Sequence, residues 1–165
     1  MPRVHTKTKN RGGTKTYRCG KCGQEILAGQ RYHEWAFRYG GARRQHAACG
    51  YPRQSQLTQS KMADLYAAVE DVEDTLSGAW SLEDVQTGVE QVAEEADRIS
   101  EEYRDAAEPF GGQGEHADRA DEVEQFSSNL QSLVLEDFDP ESGESEEDWR
   151  DRTKEQVESA LADAP

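Results

Sequence analysis

The chain has 165 residues, of which Leu, Ile, Val and Phe supply 24, about 15%. That is below the roughly 20% under which a highly charged chain loses the capacity for one large packed core, and the length excludes a complete α/β barrel. The net charge of −15 hides a division: residues 1–61 carry 13 Lys+Arg against Glu25 and Glu34, a net +11, whereas residues 62–165 carry 6 Lys+Arg against 32 Asp+Glu, a net −26.

Segregation of this kind predicts two modules with different partners. The longest wholly aliphatic run is Leu133-Val134-Leu135, far short of the ~20 apolar residues a spanning helix needs, so no membrane partner is expected. The start, Met1 to Asn10, is basic but lacks the apolar centre of a signal peptide. Three cysteines lie within 31 residues; an odd number beside a histidine points to metal rather than disulfides and to a reducing, cytoplasmic setting.

In chain order, residues 1–16 set Arg3, Lys7, Lys9, Arg11 and Lys15 among Thr and Gly with almost no aliphatic side chain. They read as a disordered basic arm. Residues 17–52 hold all the cysteines and six of the thirteen aromatics. Within them, Arg31 to Tyr39 is aromatic and β-prone, and Gly40-Gly41 before Ala42-Arg43-Arg44-Gln45 reads as a two-residue hairpin turn. Alternation would place His33, Trp35, Phe37 and Tyr39 on one face and Tyr32, Glu34, Ala36 and Arg38 on the other. Residues 53–60 (RQSQLTQS) read as a polar linker.

Residues 61–136 read as an acidic helical hairpin plus a third helix. Met62, Leu65, Val69, Val72, Leu76 and Ala79 follow alternating steps of three and four, and Leu82, Val85, Val89, Val92, Ala96, Ile99, Tyr103, Ala106 and Phe110 resume it after a slip. Ser77-Gly78 is a helix stop, and Ser81 with Asp84 is a near relative of the capping box. Trp80 and Val85 occupy the two staple positions around that cap. Two antiparallel helices over about 60–77 and 82–108 are expected, with one long helix carrying a stammer as the alternative. After Pro109-Phe110-Gly111-Gly112-Gln113-Gly114, a helix over about 115–136 would align Ala120, Val123, Phe126, Leu130, Leu133 and Val134. Residues 137–165 read as an acidic disordered tail, with Trp149, Thr153, Val157 and Leu161 marking a short helix over about 148–162.

The strongest chemical signal is Cys19-Gly20-Lys21-Cys22 followed, after 23 intervening residues, by His46-Ala47-Ala48-Cys49. Cys-x-x-Cys forms a knuckle presenting two thiolates to one ion, and His-x-x-Cys supplies two more ligands. Three thiolates and one imidazole close a tetrahedral Zn2+ site, and four protein ligands leave no open position, which predicts one structural zinc. A redox reading of Cys-x-x-Cys requires a βαβ pattern that is absent. A zinc deaminase would place its histidine motif before the Cys-x-x-Cys, with a Glu after the histidine. The fold class that follows is a small zinc-stabilised β-hairpin module, then a mainly α-helical hairpin or coiled-coil region with a disordered acidic segment.

The order Cys-x-x-Cys, hairpin, His-x-x-Cys resembles a treble-clef-like finger over residues 17–52. More narrowly it is similar to the poly(ADP-ribose) polymerase type of zinc finger, which senses DNA breaks. The strings CGKC-x5-AGQRYHEW, RYGG-x4-H-x2-C and PRQSQLTQSK also look like uncharacterised phage proteins of actinobacterial hosts. In those an amino-terminal zinc module precedes acidic helices, which would place the chain in the host cytoplasm.

Among the remaining residues, His33 beside Glu34 lacks a visible partner nucleophile and reads as a packed or stacking hairpin residue. His5 and His116 stand in polar sequence, and Gly111 to Gly114 lacks the Lys-Ser/Thr of a phosphate loop. Trp35, Phe37 and Tyr39 are candidates for stacking on bases, although at least two of them are needed as core. The cations Lys7, Lys9, Arg11, Lys15, Arg18, Lys21, Arg38, Arg43 and Arg44, with Arg3, Arg31 and Arg53, suit phosphate neutralisation. Solubility alone would not require the signs to segregate. The acidic half reads as a solvated helical face, or as a mask over the basic module.

The function expected is a non-catalytic nucleic-acid (DNA) binding protein with a helical assembly region, whose helices over 61–108 bind a protein partner or self-associate. The alternative is an interaction adaptor or phage assembly or host-interaction protein in which the zinc module binds protein. No paired carboxylates or nucleophile–base pair recommend an enzyme.

Overall fold

A computed structural model describes residues 2–9, 15–38 and 40–165. The chain divides into two compact units, Met1–Ala63 and Asp64–Pro165, close to the boundary at which its charge changes sign.

The first unit is built on a three-stranded antiparallel sheet in the order β1 (His5–Thr8), β2 (Arg31–Ala36), β3 (Ala42–His46). Strand β1 corrects the expectation of an arm without structure over 1–16. It pairs His5 with Glu34 and Thr8 with Arg31, and Lys9 continues the pairing by donating its N–H to Gln30 O at 3.0 Å. Strand β1 has no aliphatic side chain to mark it in the sequence and is held instead by the ladder, by the pairing of Lys7 with Glu34 and by the Lys9 contact to Ile26 O. Arg11 lies outside the described residues.

Strands β2 and β3 pair in the register Tyr32↔His46, Glu34↔Arg44 and Ala36↔Ala42. Residues 37–41 therefore connect them, a wider loop than a Gly-Gly turn; Tyr39 lies outside the described residues. Alternation holds over Tyr32 to Ala36, where the strand ends, and both faces are covered. One face sets Tyr32 against Cys19 and Ile26, with Tyr17 and Cys49 packed beside them. The other carries His33, Trp35 and Gln45, of which Gln45 is fully buried. The residues read as a linker cover that second face. They form α1 (Gln54–Leu57), where Gln56 O accepts from Trp35 Nε1 at 3.2 Å and Gln56 Nε2 donates to Gln45 Oε1 at 3.2 Å. A sheet enclosed by a cysteine knuckle on one side and a polar helix on the other needs few aliphatics, in keeping with the composition.

The second unit is helical. Helix α2 (Met62–Leu76) and helix α3 (Leu82–Ala107) are separate, so the stammered single helix is excluded. The break follows local chemistry: Ser81 Oγ accepts the Asp84 N–H at 3.2 Å and the Asp84 carboxylate accepts the Ser81 N–H at 2.9 Å. Val72 lies against Gly88 and Asp64 beside Arg98 at 3.5 Å, which fixes α2 and α3 as antiparallel neighbours. Helix α4 (Glu115–Gln131) returns along α3. Its Ser127 Oγ donates to Ala93 O at 3.0 Å, and its Val123, Phe126 and Leu130 are buried with Val85, Val92, Ala96 and Ile99 of α3.

Helix α4 stops five residues short of the expected end, leaving Val134 72% exposed. The next stretch, expected to be unstructured, is pinned. Trp149 Nε1 donates to Glu136 O at 2.9 Å, the Phe138 ring lies 5.8 Å from that of Trp149, and Arg152 pairs with Glu144 at 3.0 Å. Helix α5 (Glu146–Leu161) follows, capped by Ser145, with Trp149, Thr153, Val157 and Leu161 buried as the periodicity predicts. Trp149 at its start meets Trp80 after α2, ring centroids 5.7 Å apart. Pro165 beyond its end accepts the Tyr66 hydroxyl near the start of α2, so α5 runs antiparallel to α2. Among the described residues no helix is long and apolar enough to cross a membrane.

Candidate metal centre

The four residues singled out by spacing converge. One ligand atom from each of Cys19, Cys22, His46 and Cys49 lies within 4.8 Å of every other. The knuckle is closed by Gly23, whose N–H donates to Cys19 O at 3.0 Å and whose φ of +70° is a region in which a side chain would be strained. The Gly20 N–H donates to Arg44 O at 2.7 Å, which ties the knuckle to β3. Strand β3 ends at His46, and a 3-10 turn, Ala47–Cys49, swings the last thiol back toward the first.

The spacings fit a single ion. Cys19 Sγ and Cys49 Sγ are 3.9 Å apart, and Cys22 Sγ lies 3.4 Å from His46 Nδ1. Metal–sulfur and metal–nitrogen bonds of ~2.3 and ~2.0 Å in a tetrahedron imply edges of about 3.8 and 3.5 Å. A disulfide would need ~2.05 Å, and all three cysteines are free.

Electrostatics favours a cation at this point. Burial opposes ionisation of Cys19, but the backbone N–H groups of Cys22, His46 and Lys21 outweigh it and hold the thiol down at about 6. The His46 N–H itself lies 3.3 Å from Cys19 Sγ. Burial and the neighbouring sulfurs of Cys22 and Cys19 push Cys49 up to about 11. A positive charge among the sulfurs would relieve the repulsion between the Cys19 and Cys49 thiolates. With four protein donors and no vacant fifth, the cluster could hold one metal ion in a closed, structural manner.

The cations proposed to meet phosphate fall into two groups. Lys7 and Arg44 both engage Glu34, Arg44 Nε at 2.7 Å, and the Arg44 guanidinium lies 4.1 Å from the centre of the Tyr17 ring. Lys9 is buried; its Nζ donates to Ile26 O at 2.7 Å and lies 3.6 Å from Glu25. These three hold the unit together. Lys15, Arg18, Lys21, Arg38 and Arg43 are exposed. Lys21 Nζ reaches Cys49 O at 3.1 Å, and Arg43 lies 5.2 Å from the centre of the half-buried Phe37 ring.

Trp35 is core, and His33 is a packed residue, 3.1 Å from Thr6 Oγ1 through Nδ1 and edge-on to Tyr51 at 5.1 Å. His116 stacks on Tyr103 at 5.9 Å. Three glutamines, Gln30, Gln45 and Gln56, do structural work that the sequence did not announce, because a polar residue in a polar string carries no periodic signal. No protein-family model matches this sequence, and neither a curated protein nor a solved structure is significantly similar to it.

Proposed function

We propose that the first unit is a zinc-held, non-catalytic nucleic-acid-binding module and that DNA is its target. The observation that carries this reading is the combination of a closed Cys3His cluster with five exposed cations, Lys15, Arg18, Lys21, Arg38 and Arg43, in a segment of net charge +11. A soft donor set of three sulfurs and one imidazole suits zinc better than hard cations. The likeness to the poly(ADP-ribose) polymerase type of finger supports DNA over RNA, and the likeness to phage proteins supports a target in the host cytoplasm. The helical unit would then serve assembly through its outer faces, since Val85, Val92, Ala96 and Ile99 are already buried within the chain.

The test is fluorescence anisotropy of the full chain with a labelled DNA duplex between 50 and 200 mM salt, alongside metal analysis. One zinc per chain is expected, and log affinity should fall with log salt with a slope of about −4.5 for five contacts. Arg18→Glu with Lys21→Glu should weaken binding and flatten the slope by about 2. Binding insensitive to salt or to these changes would overturn the nucleic-acid reading and favour the adaptor.

A further inference from the structure

Gln30 ends the turn before β2, and its side chain lies against the ligand His46. Its Oε1 is 2.6 Å from the Leu27 backbone N and 3.2 Å from His46 Nε2. The Leu27 N–H can only donate, so the side-chain atom facing it is the oxygen and not the amide nitrogen. An amide oxygen can only accept, so His46 Nε2 must carry the ring proton. In a neutral imidazole that leaves the lone pair on Nδ1, the atom 3.4 Å from Cys22 Sγ within the cluster. A chain of donors and acceptors that begins at a backbone amide therefore fixes which nitrogen is offered to a metal.

The geometry points to Gln30 as a positioning residue of the metal centre, holding the imidazole of His46 in the tautomer and orientation that present Nδ1. This rests on the reading of the cluster as a zinc site. Partners of this kind, hydrogen-bonded to the nitrogen that is not ligated, typically change metal affinity by 10–100-fold. The same residue is also a backbone anchor, its O accepting from Lys9 N at 3.0 Å, so the turn that orients the ligand is the turn on which the end of β1 rests.

Because Oε1 also accepts from Leu27, loss of Gln30 could act through the turn alone. A double-mutant cycle separates the two roles. Zinc affinity of the full chain is measured by competition with a chromophoric chelator in wild type, Gln30→Leu, His46→Cys and the double variant. Gln30→Leu should weaken zinc binding by about 10–100-fold when His46 is present and have little effect when a cysteine, which has no second ring nitrogen, replaces it. Gln30→Glu, which keeps an acceptor at the same place, should restore affinity. Long-range 15N correlation spectra of the zinc-bound chain should show the His46 ring in the Nε2–H tautomer in wild type and Gln30→Glu, and the Nε2 proton should exchange with water faster in Gln30→Leu, where its acceptor is gone. Equal losses with and without His46, an unchanged affinity in Gln30→Leu, or an Nδ1–H tautomer in wild type would each overturn the assignment to Gln30. Failure of wild type itself to bind zinc would instead remove the reading on which it depends.

Discussion

Glu34 stands at the centre of the sheet face that also carries His46, and two of the cations expected to meet phosphate, the exposed Lys7 and the half-buried Arg44, pair with it. Partial burial opposes its ionisation, but the hydrogen bond and charge of Lys7 and the charge of Arg44 outweigh that and hold its carboxyl below the ordinary range. Nothing in a run of basic residues tells which of them will find the rare acid. Charge density was therefore legible, whereas which cations pair with Glu34 was not. At Ser81 the residue-scale reading was sharper, since a cap is chemistry between near neighbours in sequence. The Ser81 hydroxyl and backbone N–H hold Asp84 below the ordinary Asp value. A lowered carboxyl stabilises the fold above its unfolded pKa, and the contribution is lost as pH falls through the lower, folded one. Asp84→Asn should thus lower the melting temperature of the helices at pH 7, and the difference should fade as the solution is acidified below about pH 4. Circular dichroism at 222 nm across that range checks it; a difference that grew on acidification would contradict the assignment.

Among the elements, most of each helical face is legible, because 3.6-residue periodicity records burial directly in the sequence, although Ala79, Phe110 and Val134, at the ends of their runs, are exposed. Val69, Val72, Val85, Val92, Ile99, Val123 and Leu130 are all buried as their spacing requires. The strand β1 and the short helix α1 were missed, because each is held by hydrogen bonds to distant residues rather than by a pattern of its own. Gly88 is a further case: within a helix it looks like a weakness, yet a Cβ there would lie 2.9 Å from Val72 Cγ2. Val72 is β-branched and stiff at χ1, so it cannot swing aside cheaply. Alanine would gain roughly 1 kcal/mol in helix propensity and lose about 1–3 kcal/mol to overpacking. Gly88→Ala is expected to destabilise the helical unit by about 1 kcal/mol, the difference of those two ranges. That corresponds to a melting temperature lower by roughly 4–8 °C. Val72→Ala in the same chain should cost less than it does alone, since it removes the clash. A rise in melting temperature for Gly88→Ala would mean that α2 and α3 cross less closely.

For the whole molecule, the charge division acquires a physical meaning only with the units on either side of it. On the proposed nucleic-acid reading, the −26 segment is tethered to a +11 segment and competes with phosphate at high effective concentration. Attraction between exposed charges is screened over about 8 Å at physiological salt. Removing residues 64–165 should therefore tighten DNA binding at low ionic strength, with the gain shrinking as salt rises. Anisotropy titrations of both chains decide it, and identical affinities at low salt would leave the helical unit without a masking role. The two units also differ in what holds them. Among the described residues the first buries a small apolar cluster of Ile26 and Tyr32 with the ligand Cys19 on one sheet face and Trp35 on the other, and on the proposed zinc reading its folding is expected to be coupled to metal binding. The second contains no such dependence among its described contacts. Cys22→Ser or a strong chelator should collapse the sheet while leaving most of the helical dichroism in place.

The tryptophans make that separation visible. Trp80 and Trp149 form a ring pair in the helical unit, with the Arg150 guanidinium 4.9 Å from the centre of the Trp80 ring. Trp35 stands alone in the sheet, 3% exposed and donating to Gln56 O. Each unit therefore carries its own fluorophore environment, and in a chain with Trp80→Phe and Trp149→Phe all indole emission arises from β2. Stripping the metal should shift that emission to the red as the indole becomes hydrated. In the complementary Trp35→Phe chain, emission should hardly respond to the chelator and should change only when the helices themselves melt. On the proposed zinc reading, one chain thus contains two optical reporters, one tuned to metal occupancy and the other to heat.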